Sequence, residues 1–307
     1  MAVNVMNRRI LMTQALASGG APAGYVGPGD VVSGATAWWG LRAYSSATTG
    51  GNLVDVFGNT TSTAFTFVSK SDGTIELSAG GAAAFIAGNS GSGNMVVTKM
   101  YDQTGNGHDM TATGGNTPKF VIGAVGLYSA QVQFTSSGQI LHATGFAQVQ
   151  PFSAAGAFIF TSHAGIATIF SDSTQASMSF NTTPALSMFA GTSLNGSDTL
   201  IDNTWYAVQG IYNGASSVNV VNTSATTGNP STNGTNAGHV LTIGNDDFTE
   251  NLVGSFTELG IWPVAFNSTQ YLAMANNIEL FAGLISLLVT GSGVILTTDT
   301  GVKLVEP

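Results

Sequence analysis

Cysteine is missing altogether. Its absence excludes disulfides, thiolate zinc sites and cysteine nucleophiles together, and it suits assembly in a reducing cytoplasm. Positive charge is nearly as scarce: seven lysines and arginines, spread from Arg8 to Lys303, stand against sixteen acids. Seven scattered cations cannot form a phosphate-binding stripe, so nucleic acid is excluded as a partner. Charge of either sign makes up only 7% of the 307 residues, where about a quarter is usual for a soluble domain. A hydrophobic content of 43% nevertheless excludes a disordered chain. No run is suited to spanning a membrane. Residues 280–296 carry no charge, but Gly283, Gly291, Ser292 and Gly293 interrupt a stretch already short of the ~20 residues a spanning helix needs. The start offers Arg8, Arg9 and an apolar run broken by Thr13 and Gln14, a poor export signal. It reads instead as an amphipathic anchoring arm.

What fills the chain is glycine, 40 residues of it, with serine, threonine and asparagine in most polar positions. Short β-type runs recur at 64–69, 95–101, 131–134, 157–161, 167–171, 206–212, 218–221 and 252–262, separated by Gly, Asn or Ser clusters. This is the pattern of a β-sandwich or jelly roll. Alternation within 218–220 and 256–261 predicts strands with one wet and one dry face. One helix is expected, capped by Asn267 or Ser268, running to Phe281 and stopped by Gly283. Three short strands should follow at 284–290, 294–298 and 302–305. The organisation expected is an N-terminal arm and linker (1–29), a sandwich (30–282) and a β tail (283–307) suited to assembly.

Two stretches carry a family resemblance. The first runs from Val31-Val32-Ser33-Gly34 through Trp38-Trp39-Gly40-Leu41-Arg42-Ala43-Tyr44-Ser45 to the motif Tyr101-Asp102-Gln103-Thr104-Gly105-Asn106-Gly107-His108-Asp109. The second is Leu241-Thr242-Ile243-Gly244-Asn245-Asp246-Asp247 with Gly254-Ser255-Phe256-Thr257-Glu258-Leu259-Gly260-Ile261-Trp262. Together they resemble the concanavalin A-like, laminin-G-type sandwich shared by fungal α-L-arabinofuranosidase B catalytic domains and many phage and prophage virion proteins. The resemblance implies an all-β sandwich over roughly residues 30–282. It marks Trp39, Arg42, Tyr101, Asp102, Gln103, Gly105, Gly107 and Trp262 as its structural motif.

In the arabinofuranosidases an aspartate in an Ile-Gly-Gly-Asp-type turn serves as acid/base, and Asp246 is the matching position. Their glutamate nucleophile lies earlier, beside a vicinal cysteine pair. Between Phe158 and Ile201 this chain has neither cysteine nor glutamate, and its only acids there are Asp172 and Asp198. On that departure a non-enzymatic role is expected: a tailed-phage virion subunit (head decoration, collar or tail fibre) on the virion surface. Such a subunit would be assembled with other virion proteins as a homo-oligomer and would contact host-surface polysaccharide. The alternatives are a glycoside hydrolase of arabinofuranosidase type or a secreted carbohydrate-binding protein.

The remaining chemistry is sparse. Four histidines in no paired spacing suggest no metal, and P-loop, dinucleotide and EF-hand patterns are absent. Asp102, Asn106 and Asp109 form the best oxygen cluster for calcium, with Asp246-Asp247 a second. No other cofactor is implied. Of the aromatic residues suited to holding a sugar, most read as core, with Trp39 and Trp262 expected to pack between the two sheets.

Overall fold

A computed structural model describes residues 24–91, 93–112, 117–126, 128–136, 138–162, 165–172, 175–235, 240–244, 250–290 and 293–298. The strands of the first half are β1 (Ala37–Gly40), β2 (Asn52–Gly58), β3 (Thr63–Val68), β4 (Met95–Met100), β5 (Met110–Ala112), β6 (Lys119–Val125), β7 (Tyr128–Phe134), β8 (Leu141–Thr144), β9 (Phe152–Phe160) and β10 (Ala167–Ser171). Those of the second half are β11 (Ser177–Phe180), β12 (Leu186–Phe189), β13 (Ser193–Asn195), β14 (Trp205–Tyr212), β15 (Ser217–Val221), β16 (Ser224–Gly228), β17 (Val240–Ile243), β18 (Gly254–Trp262), β19 (Ile285–Thr290) and β20 (Gly293–Thr298). The helices are α1 (Pro28–Val31), α2 (Ala82–Gly88) and α3 (Ser268–Phe281). No helix among the described residues is long and apolar enough to cross a membrane.

All pairings are antiparallel, and they define two layers. One is ordered β1-β18-β9-β14-β15-β16. The other is ordered β3-β2-β4-β5-β8-β17-β10-β11-β12-β13. The β6–β7 hairpin joins them at a corner, through Gly254–Phe256 of β18 on one side and Val96 of β4 on the other. Side chains from both layers meet in one core, with Trp39, Phe158 and Phe256 from the first against Val56, Val97 and Ile243 from the second. The all-β sandwich expected from the sequence is the fold observed.

The first layer is covered on its outer side as well. Ala155, Ala157 and Ala207 make that face shallow enough for α3 to lie on it, and Met274 and Ile278 complete a second core with Trp38, Ile211 and Trp262. Full burial of Met274 and Ile278 contributes roughly 1.5–3 kcal/mol each. The helix starts where the sequence places it. Asn267 Oδ1 accepts from the Gln270 N–H at 3.0 Å, and Gln270 Oε1 accepts from the Asn267 N–H at 3.0 Å, a reciprocal capping box. It ends at Gly283, φ +69°, where the chain passes so close to the β6–β7 turn that a Cβ on Gly126 would lie 2.2 Å from the Gly283 nitrogen.

Two expectations are corrected by this packing. Residues 256–261 do not present a wet face, because every residue of β18 is buried between the main core and α3. In 218–220, Asn219 is likewise buried, and it donates to the Leu186 carbonyl at 2.7 Å. Glu258 and Asn219 serve internal hydrogen bonds rather than solvent. Trp262 lies under α3 rather than between the sheets, and its indole N–H donates to the Val32 carbonyl at 2.8 Å. Trp39 does sit between the sheets. Beyond the helix, β19 and β20 pair from Ile285↔Thr298 to Thr290↔Gly293. The strand expected at 302–305 and the arm 1–23 lie outside the described residues.

Candidate functional site

Asp102 follows β4 at the start of the motif loop and is 8% exposed. Its Oδ1 accepts from the Trp38 N–H (3.2 Å), the Thr104 N–H (3.0 Å) and the Thr104 hydroxyl (2.7 Å), and its Oδ2 accepts from the His108 N–H at 3.1 Å. Gln103 bridges outward. Its side chain donates to the Gly40 carbonyl (2.9 Å) and accepts from the Tyr44 N–H (2.9 Å), while its own N–H donates to the Trp38 carbonyl. Asn106 donates to the Thr36 carbonyl at 2.9 Å, and the Trp39 indole donates to the His108 carbonyl at 2.6 Å. The loop thus stands in for a strand along the side of β1 that β18 leaves open. Gly105 and Gly107, at φ +82° and +84°, permit its tight path.

This geometry also bears on calcium. Asp109 spends one oxygen on the Asp102 N–H (2.8 Å) and the other on Lys99 Nζ (2.6 Å), and the Asn106 amide points its nitrogen, not its oxygen, at the backbone. Oxygens already taken by N–H donors do not form a cation cage. Among the described residues no group of three potential metal ligands occurs.

Arg42 and Glu258 form the feature that the sequence pattern hid. Both are fully buried. Arg42 Nε and Nη2 donate to the two Glu258 oxygens at 2.5 and 2.8 Å, and Nη2 also reaches Asn277 Oδ1 at 2.8 Å. The guanidinium lies 4.1 Å from the centre of the Phe281 ring. The pair joins the segment after β1 to β18 and α3. Complete burial and a fork-to-fork geometry make it a positioning device for the fold.

The outer face of the second layer carries the more accessible chemistry. Strand register aligns Thr66, Asp55, Lys99, Thr111, His142 and Thr242 in one row across β3, β2, β4, β5, β8 and β17. Asp55 accepts from the Thr66 hydroxyl at 2.5 Å and from the Tyr101 hydroxyl at 3.0 and 3.2 Å. Lys99 Nζ sits 4.2 Å from the Tyr101 ring centre. Its hydrogen bond to Asp109 holds the ammonium pKa above its ordinary value. Partial burial, reinforced by the hydrogen bond to Asp55, does the same for the Tyr101 phenol.

At the end of β17, Gly244 has φ +93°, and a Cβ there would lie 2.3 Å from the Phe134 ring. Glycine is therefore required where the resemblance places the first glycine of its turn. Leu252 N–H donates to the Gly244 carbonyl at 2.8 Å and closes the loop. Asp246 and Asp247 themselves lie outside the described residues. Of the acids in the region lacking glutamate, Asp172 is 1% exposed and Asp198 is half-buried between β13 and β14. Ser171 pairs with Thr242 and Phe170 with Ile243. The chain at Asp172 therefore runs toward Leu241, away from Gly244.

No family model matches the chain, and no curated protein matches it. Solved structures do. A GH54 α-L-arabinofuranosidase soaked with a cyclic sulfate inhibitor superposes with a TM-score of 0.63 at 17% identity, over 87% of this chain and 69% of that one. An arabinofuranosidase complexed with arabinofuranosyl-α-1,2-xylobiose gives 0.61 at 15% identity, over 89% and 74%. The sandwich is shared with these enzymes. This likeness overturns the expectation of a non-enzymatic, tailed-phage virion subunit. Both of these proteins, which superpose over nearly nine-tenths of this chain, are arabinofuranosidases.

Proposed function

We propose that the chain is a glycoside hydrolase of the arabinofuranosidase type. One observation carries this: nearly nine-tenths of the chain superposes on arabinofuranosidases, with a glycine-dependent turn at Gly244 in the segment that resembles the acid/base turn of that family. The segment between Gly244 and Leu252, whose ends are joined by a backbone hydrogen bond, carries three acids in sequence, Asp246, Asp247 and Glu250, in a chain with only sixteen. Asp246 is assigned the acid/base role. It protonates the glycosidic oxygen as the bond to the anomeric carbon breaks, then takes a proton from the water that adds to that carbon. A retaining reaction needs a second carboxylate about 5 Å away as nucleophile. The register of β10 turns Asp172 from Gly244 and directs the search to Asp247 and Glu250.

The test is release of nitrophenolate from 4-nitrophenyl α-L-arabinofuranoside. Hydrolysis by the native chain, lowered at least about 100-fold by Asp246→Asn, supports the assignment, and Asp247→Asn and Glu250→Gln identify the partner. No release by the native chain would overturn it.

A further inference from the structure

A cleft of about 500 Å³ opens between the loop before β2 and the motif loop. Its lining includes Thr48, Thr49, Asn52, Tyr101 and Gln103, and its volume is in the range of small-molecule sites. Tyr101 lines it, whereas Asp55 and Lys99 do not. These two hold the ring in place, Asp55 through two contacts to the hydroxyl and Lys99 against the ring. An aromatic face fixed in advance loses little freedom when a ligand packs on it.

The surrounding charges are all engaged. Lys99 is paired with Asp109 at 2.6 Å, and Asp102 is taken by four donors. Among the described residues that line the cleft there is no cation, and Asp102, the one carboxylate, has its oxygens turned to those donors. The Asn52 side chain is different: it is exposed and makes no hydrogen bond to the described residues. An aromatic platform beside a free amide is the chemistry that binds an uncharged, hydroxyl-rich ring.

We propose that this cleft is a binding subsite for a neutral sugar ring, with Tyr101 as its platform and Asn52 as its hydrogen-bonding amide. It rests on the hydrolase reading, but it is a separate place. Met100 pairs with Met110, Thr111 with His142, and His142 with Thr242. Tyr101 is thereby level with the Val240 end of β17, while the Gly244 turn leaves the opposite end. A substrate reaching from one to the other crosses the row of Lys99, Thr111 and His142. The cleft would hold a part of the glycan remote from the bond being cleaved.

Calorimetric titration of arabinofuranosyl-xylobiose into the Asp246→Asn chain, which does not consume the probe, tests the cleft. Tyr101→Ala in that background should weaken binding at least about tenfold. Asn52→Ala, at an exposed position that leaves the fold intact, should weaken it about threefold. Tyr101→Phe keeps the ring and should stay within about twofold. Binding unchanged in both Tyr101→Ala and Asn52→Ala overturns the cleft and leaves the hydrolase reading standing. The cleft is likewise overturned, and the hydrolase reading kept, if the probe fails to bind while the native chain hydrolyses the reporter. Absence of both binding and hydrolysis overturns the two together.

Discussion

Replacing Glu258 by alanine should be among the most damaging single changes in the interior of this sandwich. Both Glu258 and Arg42 have no exposed side-chain area, and the guanidinium is enclosed by Trp38, Phe281 and Asn277. Removing the carboxylate leaves a buried cation without its bidentate partner, at a cost of about 3–5 kcal/mol. That is a large share of the ~5–15 kcal/mol that holds an ordinary domain together. The double variant Arg42→Met/Glu258→Leu keeps volume and removes both charges. It should cost much less than the two single changes added, with a coupling of about 2–3 kcal/mol. Urea unfolding followed by tryptophan fluorescence reads both, since Trp38 and Trp262 lie in the adjoining core. A loss under about 1 kcal/mol for Glu258→Ala would refute the enclosed ion pair.

Three further outcomes follow from other parts of the molecule. Asp102→Ala strips the acceptor from four donors and should cost about 2–4 kcal/mol, whereas adding calcium or a chelator should leave the native unfolding midpoint in place; a midpoint raised by calcium would restore the metal reading. Gly126→Ala drives a Cβ into the Gly283 backbone and should cost about 2 kcal/mol or more, whereas Gly145→Ala, also at positive φ but with open space around it, should cost about 1 kcal/mol; equal thermal shifts would show that the α3 terminus does not dock as described. Burial holds the phenols of Tyr25, Tyr44 and Tyr212 above their ordinary value of 10.0, so the unfolded chain loses these protons first. The stability they support is complete below about pH 10 and is lost as pH rises beyond it, by about 1.4 kcal/mol per pH unit for the fully buried Tyr212. A urea midpoint as high at about pH 11 as at about pH 8 would contradict this.

Strand spacing and turn chemistry made the sandwich legible before its structure. The run 167–171 coincides with β10, and the Asn267 cap and Gly283 stop bracket α3. What periodicity could not convey was the second core. Polar residues alternating through 256–261 imply solvent only if nothing covers the outer face, and α3 comes from a segment later in the chain. Helix α2 was also hidden: its first three residues are alanine and it is bounded by glycine, so local pattern gives it little identity. The motif loop was legible as a turn, but its clamp on β1 depends on contacts some 60 or more residues away in sequence. The cleft at Tyr101 has no linear signature, because its two walls come from separate loops. The likeness to arabinofuranosidases was visible in the two motifs. The missing glutamate drew the functional expectation toward a virion subunit, and only the extent of the shared frame reversed it.

The most direct test of the hydrolase assignment is a proton NMR time course of arabinofuranosyl-xylobiose with the native chain beside Asp246→Asn. Free arabinose and xylobiose should accumulate together with the native chain, and nearly none with the variant. An unchanged spectrum with the native chain, or equal turnover by the two, would contradict it.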